Sequence, residues 1–228
     1  MRLSFPGISL LVLASLSPAI AQSVSVGLKA GARLGDEFSD TNGTLHDESK
    51  RYTFGPMVDL KLPLRFSLEF DALYQPVGYT VQNFDFDFVT SRERSSSWEF
   101  PIVAKYRLPG ALRIAPYVGA GYAPRVVHGS RVDGQIDYDL QDHIIAVSST
   151  KLDTTYDTTH GLVIEGGLRI PVAHFHISPE IRYTRWNKLF LDHEGSHGFG
   201  YFSQQDQVDV LFGPNVALAG CGKKQIPL

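Results

Sequence analysis

The sequence predicts an all-β fold, an eight-stranded antiparallel up-and-down transmembrane β-barrel with short periplasmic turns and long external loops. Three observations predict it. Eight segments of about ten residues alternate between an apolar and a polar face, which a two-faced strand produces and a helix cannot. Ten residues is the length at which a tilted strand crosses the hydrocarbon of a bilayer. The connections between segments alternate short and long, the signature of a barrel with one plain and one elaborated end.

The eight segments follow in order. The first sets Val24, Val26, Leu28, Ala30, Ala32 and Leu34 against Ser25, Gly27, Lys29, Gly31 and Arg33. The second sets Tyr52, Phe54, Pro56, Val58, Leu60 and Leu62 against Arg51, Thr53, Gly55, Asp59 and Lys61. The third has Leu64, Phe66, Leu68, Phe70, Ala72 and Tyr74 opposite Arg65, Ser67, Glu69, Asp71 and Gln75. The fourth has Trp98, Phe100, Ile102, Ala104 and Tyr106 opposite Glu99, Lys105 and Arg107. In the fifth, Leu112, Ile114, Pro116, Val118, Ala120 and Tyr122 face away from Arg113, Tyr117, Gly119 and Gly121. In the sixth, Leu162, Ile164, Gly166, Leu168 and Ile170 face away from Glu165, Gly167 and Arg169. The seventh separates Phe175, Ile177, Pro179, Ile181 and Tyr183 from His174, His176, Ser178, Glu180, Arg182 and Thr184. The eighth separates Val208, Val210, Phe212, Pro214 and Val216 from Gln207, Asp209, Gly213 and Asn215.

Tight turns at 61–65, 108–112 and 170–174 carry Pro63, Pro109-Gly110 and Pro171. Long connections are expected over 35–50, 80–97, 124–159 and 187–206. Proline removes a ladder donor, so bulges or local irregularities are expected at Pro56, Pro101, Pro116, Pro179 and Pro214.

The rest of the composition narrows the class. The chain has 228 residues, enough for one domain, with 43% hydrophobic residues. A single Cys excludes a disulfide scaffold or a Cys-rich zinc module. A net charge of −3 argues against a nucleic-acid binder. Residues 1–21 read as a signal peptide: Arg2, an apolar stretch from Ile8 to Leu16, then Ala19-Ile20-Ala21 as the cleavage site. The apolar stretch is too short for a spanning helix, which needs about 20 residues. The barrel is assigned to 22–218 and a C-terminal tail to 219–228.

Charge decides which face points outward. The apolar face carries no charged residue until Arg185 at the rim. The other carries Lys29, Arg33, Asp59, Lys61, Arg65, Glu69, Asp71, Glu99, Lys105, Arg107, Arg113, Glu165, Arg169, Glu180, Arg182 and Asp209, expected as a structural charge network inside the lumen. Inward charges must pair, because an isolated buried charge is costly. Glu69 and Asp71 are expected to meet Arg65, Arg107 and Arg113. Tyr52, Tyr74, Trp98, Tyr122 and Tyr183 fall at one rim, with Phe66, Tyr106 and Phe175 near the other, as aromatic belts do. The competing arrangement is a soluble lipocalin-type barrel, apolar face inward around a ligand.

The runs Trp98-Glu99-Phe100-Pro101-Ile102-Val103-Ala104-Lys105-Tyr106, Ala115-Pro116-Tyr117-Val118-Gly119-Ala120-Gly121, Gly161 to Leu168 and Pro179-Glu180-Ile181-Arg182-Tyr183 resemble the bacterial outer-membrane protein beta-barrel domain family, the small OmpA/OmpX-type barrels. The resemblance implies an eight-stranded barrel in the outer membrane, usually without an assigned activity. Its partners would be outer-membrane lipid, lipopolysaccharide and the barrel-assembly machinery. A monomer is expected, with no nucleic-acid partner, cofactor or metal. The chain departs from the terminal aromatic such barrels often carry, running on through Ala217 to Cys221 and a basic tail.

Catalytic chemistry is weakly represented. His174 and His176 share one side of a strand without a third ligand for zinc. Asp192, His193, Ser196 and His197 share a loop and have triad residue types, but no scaffold orders them. The function expected is a structural or surface-interaction barrel with a plugged lumen and no catalysis. Its competitors are a porin-like transporter, a rim-located enzyme and a soluble periplasmic binding barrel.

Overall fold

The computed structural model describes residues 23–217 except 41–44, 84–87, 110–113, 139–143, 173–174 and 195–199. The expected signal peptide and C-terminal tail, Arg113, His174, Ser196 and His197 lie outside the described residues. The eight barrel strands are β1 (Ser23–Arg33), β2 (Tyr52–Lys61), β3 (Phe66–Asp71 and Leu73–Asn83), β4 (Phe88–Glu99 and Ile102–Arg107), β5 (Ala115–Tyr138), β6 (Ile144–Thr155 and Thr159–Val172), β7 (Phe175–Trp186) and β8 (Asp206–Ala217). Each pairs antiparallel with the next. β8 closes on β1 from Ser25↔Ala217 to Arg33↔Asp209. Within the wall, among the described residues, closure leaves no open sheet edge, which hydrocarbon would not tolerate.

The register fixes the tilt. From Ser23 the pairs run through Lys61, Ser67, Lys105, Gly119, Glu165, Arg182 and Asp209, and return to β1 at Arg33, ten residues further along. Side chains alternate with period two, so only an even shear returns the inward face of β8 to the inward face of β1. That row of pairs is the polar face of the sequence from end to end.

The apolar face is outside. In β1, Leu28 is 65% exposed and Lys29 is 1% exposed. Ile164, Ile181 and Phe212 likewise face outward, while Val103, Met57 and Leu211 are buried. A soluble barrel would need the opposite arrangement. Among the described residues no helix is long and apolar enough to cross a membrane.

The turn between β2 and β3 is a 3₁₀ turn at Pro63–Arg65. Leu64 and Arg65 there adopt φ of 61° and 68°, which places both beyond the wall rather than in it. Arg65 is exposed, a correction to its expected lumen position: alternation was counted through a turn that breaks it.

Two of the expected long loops are hydrogen-bonded hairpins. β3 and β4 stay paired up to Asn83↔Val89, and β5 and β6 up to Ile144↔Tyr138. Above the apolar band both faces of a strand meet polar surroundings. The alternation fades there while the backbone ladder continues. The other two connections contain short strands. Leu45–Asp47 pairs with Tyr79–Val81 of β3, and Phe38–Asp40, Asp192–Glu194 and Gly200–Ser203 form a small sheet.

The prolines produce no register shift. Among the described residues the shifts lie between Ile144 and Ala146 and where β6 is interrupted, between Thr155↔His128 and Thr159↔Arg125, and neither of these stretches of β6 holds a proline. Pro179 and Pro214 only interrupt one flank: the β6–β7 ladder skips from Gly167↔Glu180 to Ile170↔Ile177, and the β1–β8 ladder from Gly27↔Asn215 to Ala30↔Phe212. Each missing N–H removes a bond on one side, and the intact flank of a closed wall holds the register.

Candidate functional site

The polar face converges on the barrel axis, where the charges form one knot. Lys29 Nζ reaches Asp71 at 3.1 Å and Glu180 at 2.8 Å, and also bonds Glu69. Lys105 Nζ lies 2.7 Å from Glu69, 2.7 Å from Glu165 and 3.1 Å from Glu180. Arg182 completes the knot at 2.8 Å from Asp71, 2.9 Å from Glu165 and 3.1 Å from Glu180. The Tyr117 hydroxyl donates to Glu180 at 2.6 Å, and Lys105 sits over its ring at 4.6 Å. Glycine makes the room: a Cβ at Gly167 would meet the Tyr117 ring at 2.6 Å, and one at Gly119 would meet Glu165 at 2.9 Å.

Strand order explains the partners. β1, β3, β4, β6 and β7 each contribute one or two residues to the same depth. Glu69 and Asp71 therefore pair with Lys29, Lys105 and Arg182 across the lumen. The expected partners Arg65 and Arg107 are corrected: Arg65 is exposed and Arg107 is half-buried nearer the short-turn end, while the expectation for Arg113 lies outside the described residues.

Two further layers flank the knot. Towards the short turns, Arg169 reaches Asp59 at 3.2 Å, with Lys61 half-buried nearby. The cavity among Asp59, Glu69, Lys105, Arg107 and Arg169 holds about 20 Å³, room for about one water. Towards the long loops, Arg33 bonds Glu37 and approaches Glu99 at 3.4 Å and Asp209 at 3.9 Å. Gln207 donates to Asp209 at 2.8 Å and Glu99 at 3.1 Å.

Above these layers the loops cap the mouth. Arg125 pairs with Glu37 at 3.1 Å and lies over the rings of Trp186 at 4.0 Å and Phe190 at 4.6 Å. Phe38, Val77, Tyr79, Val127 and Phe190 form an apolar cluster, with Tyr156 and Leu191 packed on it. Glu93 accepts bonds from Tyr79 and Tyr156 at 2.9 and 2.5 Å. Burial and the bond to Glu93 raise the Tyr156 pKa, so the phenol stays neutral.

Glu37, Glu93, Arg125 and Trp186 were missed by the sequence because they fall beyond the segments read as strands. The signal was present, since Glu93, Arg125 and Trp186 keep the inward parity of β4, β5 and β7.

The outer surface carries aromatic rows. Tyr74 packs between Phe54 at 5.6 Å and Trp98 at 5.3 Å, and Tyr52 stacks on Phe54. Phe66 meets Tyr106 at 5.0 Å at the opposite rim, where Phe175 pairs with Val172. Tyr122 bonds His160, and Tyr183 and Arg185 both bond Asp206, on the long-loop side.

The arrangement's chemistry is ion pairing. The carboxylate oxygens of Glu69, Glu165 and Glu180 lie within 4.8 Å of one another, close enough for a cation, but Lys29, Lys105 and Arg182 already engage them. Of the loop residues with triad types, Asp192 is exposed and His193 lies in the strand paired with Gly200–Ser203.

The outer membrane protein beta-barrel domain model matches residues 7–209. No curated protein matches the chain. Among solved structures, Neisserial surface protein A is 14% identical, with 86% of this chain and 97% of that chain covered and a TM-score of 0.46. The N-terminal barrel domain of Pseudomonas aeruginosa OprF is 12% identical, at 87% and 99% coverage and a TM-score of 0.40. The Escherichia coli outer membrane protease OmpT is 11% identical, at 86% and 94% coverage and a TM-score of 0.39. With this family model matched over most of its length, this chain belongs to the outer membrane protein beta-barrel domain family.

Proposed function

We propose that this outer-membrane barrel is a non-conducting, non-catalytic surface protein. In this reading the wall anchors the chain, and the long hairpins and capping loops present an interaction surface outside the cell. One observation carries the reading: Lys29, Glu69, Asp71, Lys105, Glu165, Glu180 and Arg182 interlock across the lumen. An eight-stranded barrel is only wide enough for side chains to fill, and here the filling is cross-linked by charge. A hydrated ion would have to displace pairs whose separation leaves buried charges uncompensated. The carboxylates are engaged as ion-pair partners, which leaves them ill suited to act as free acids or bases.

Planar-bilayer recording of the purified barrel tests the proposal. The expected result is a flat baseline at moderate voltage. Stepwise conductance that scales with protein added would overturn it in favour of a porin-like transporter.

A further inference from the structure

A barrel wall is convex on its outside, so a deep cleft there needs a local cause. One such cleft, of about 570 Å³, opens on the outer face across β3 to β5 and the chain leading into β2. Its floor is built from small residues, Pro76, Gly78, Ser96 and Ser130. Its walls are long: Lys50, Arg92, Arg94 and His128, with Glu48. Those on β3, β4 and β5 have the outward parity of Tyr74 and Trp98, while the chain carrying Glu48 and Lys50 is held to β3 by backbone bonds to Gly78 and Pro76.

Height identifies the surroundings. The row Tyr74↔Trp98↔Val126 belongs to the aromatic belt. The next rows up are Pro76↔Ser96↔His128 and Gly78↔Arg94↔Ser130. At about 3.3 Å per residue and a tilt near 40°, the cleft rises roughly 5–10 Å above the belt, the depth of the headgroup layer. The long loops mark this as the outer leaflet.

Charge identifies the guest. Glu48 accepts bonds from Thr80 at 2.8 Å and Arg92 at 3.0 Å, fixing Arg92 at the wall. Burial alone would raise the Glu48 pKa, but these bonds and the charges of Arg92 and Arg94 lower it, so it stays ionised. Lys50 and Arg94 have no ion-pair partner among the described residues. The cleft therefore keeps two cations without a carboxylate in contact, beside hydroxyls and an aromatic edge. Its volume lies in the range of small-ligand pockets, about 300–1,000 Å³, larger than a lone anion needs.

We infer that this cleft binds the phosphorylated sugar headgroup of an outer-leaflet glycolipid, with Lys50 and Arg94 on the phosphate and its acyl chains lying along the aromatic belt below. The inference rests on the outer-membrane placement and not on the sealed lumen, so conductance would leave it standing.

The test titrates the purified barrel, in zwitterionic detergent, with a bis-phosphorylated diglucosamine lipid, its dephosphorylated analogue and inorganic phosphate. Trp98 reports from the belt below the cleft, while the other tryptophan, Trp186, is buried in the lumen. Saturable binding of the phosphorylated lipid is expected, weakened about tenfold in the Lys50→Ala/Arg94→Ala double variant. Arg185→Ala, at the rim near β8, should bind as the unmodified protein does. Heat-modifiable gel mobility confirms folding of each variant, and Arg94→Gln replaces the double variant if that fails to fold. Equal binding of the dephosphorylated lipid, or unchanged affinity in the cleft variants, overturns the proposal. Inorganic phosphate binding as tightly as the lipid also overturns it, by assigning the cleft to a free anion.

Discussion

Lys29 shows at the residue scale what the lumen requires. Its ammonium is surrounded by Glu69, Asp71 and Glu180, and its side chain has no exposure. A methionine would fill the space but leave those carboxylates with two cations, Lys105 and Arg182. Breaking a buried pair from one side costs about 3–5 kcal/mol, because the remaining charge is uncompensated. Lys29→Met is therefore expected to lower the urea midpoint of the refolded barrel, and Lys29→Met/Glu69→Gln to recover part of the loss. Equal midpoints for Lys29→Met and the unmodified protein would show the pairs to be dispensable. The sequence made Lys29 recognisable as a lumen charge, since it alternates with Leu28 and Ala30. Its partners were not recognisable, since contacts across a lumen depend on the relative height of strands far apart in the chain.

Elements differ in what holds them. Within the apolar band, each strand is fixed by two neighbours and by the parity of its side chains. The hairpin of β5 and β6 beyond this band is held chiefly by its own ladder, from His128↔Thr155 to Tyr138↔Ile144, with β4 alongside as far as Phe88↔Ile136. Replacing residues 134–149 by a two-residue Asn-Gly turn is expected to leave the barrel resistant to SDS until heated, with a midpoint within about 1 kcal/mol of the full protein. Loss of heat-modifiable mobility would show that the arm is needed to assemble the wall. These arms read as loops in the sequence because their alternation of polarity is weak. Backbone pairing does not need that alternation, and only the lipid-facing band imposes it. The prolines teach the converse lesson: Pro179 and Pro214 look like strand breakers in isolation, yet the ladder skips a flank and resumes in register.

The whole molecule is governed by closure. A circuit of pairs advances ten residues from Ser23 to Arg33, and every inward residue on that path must meet another inward residue. An extra residue in one strand would turn the remainder of that strand inside out. Inserting one alanine between Val103 and Ala104 is expected to send Lys105 to lipid and Tyr106 into the lumen, and to abolish heat-modifiable folding. The same insertion directly after Tyr138, past the last described pair of the β5–β6 arm, should be tolerated; equal behaviour of the two insertions would refute a parity-locked wall.

The sequence by itself determined the strand number, the two faces and their orientation, because a bilayer demands apolar residues at every second position and turns demand their own chemistry. Tertiary structure alone decided which charges meet, how Glu37 and Arg125 seal the mouth, and where small residues under Lys50 and Arg94 hollow the outer wall. Those features depend on shear and on loops folding back over the barrel, and neither leaves a period in the chain.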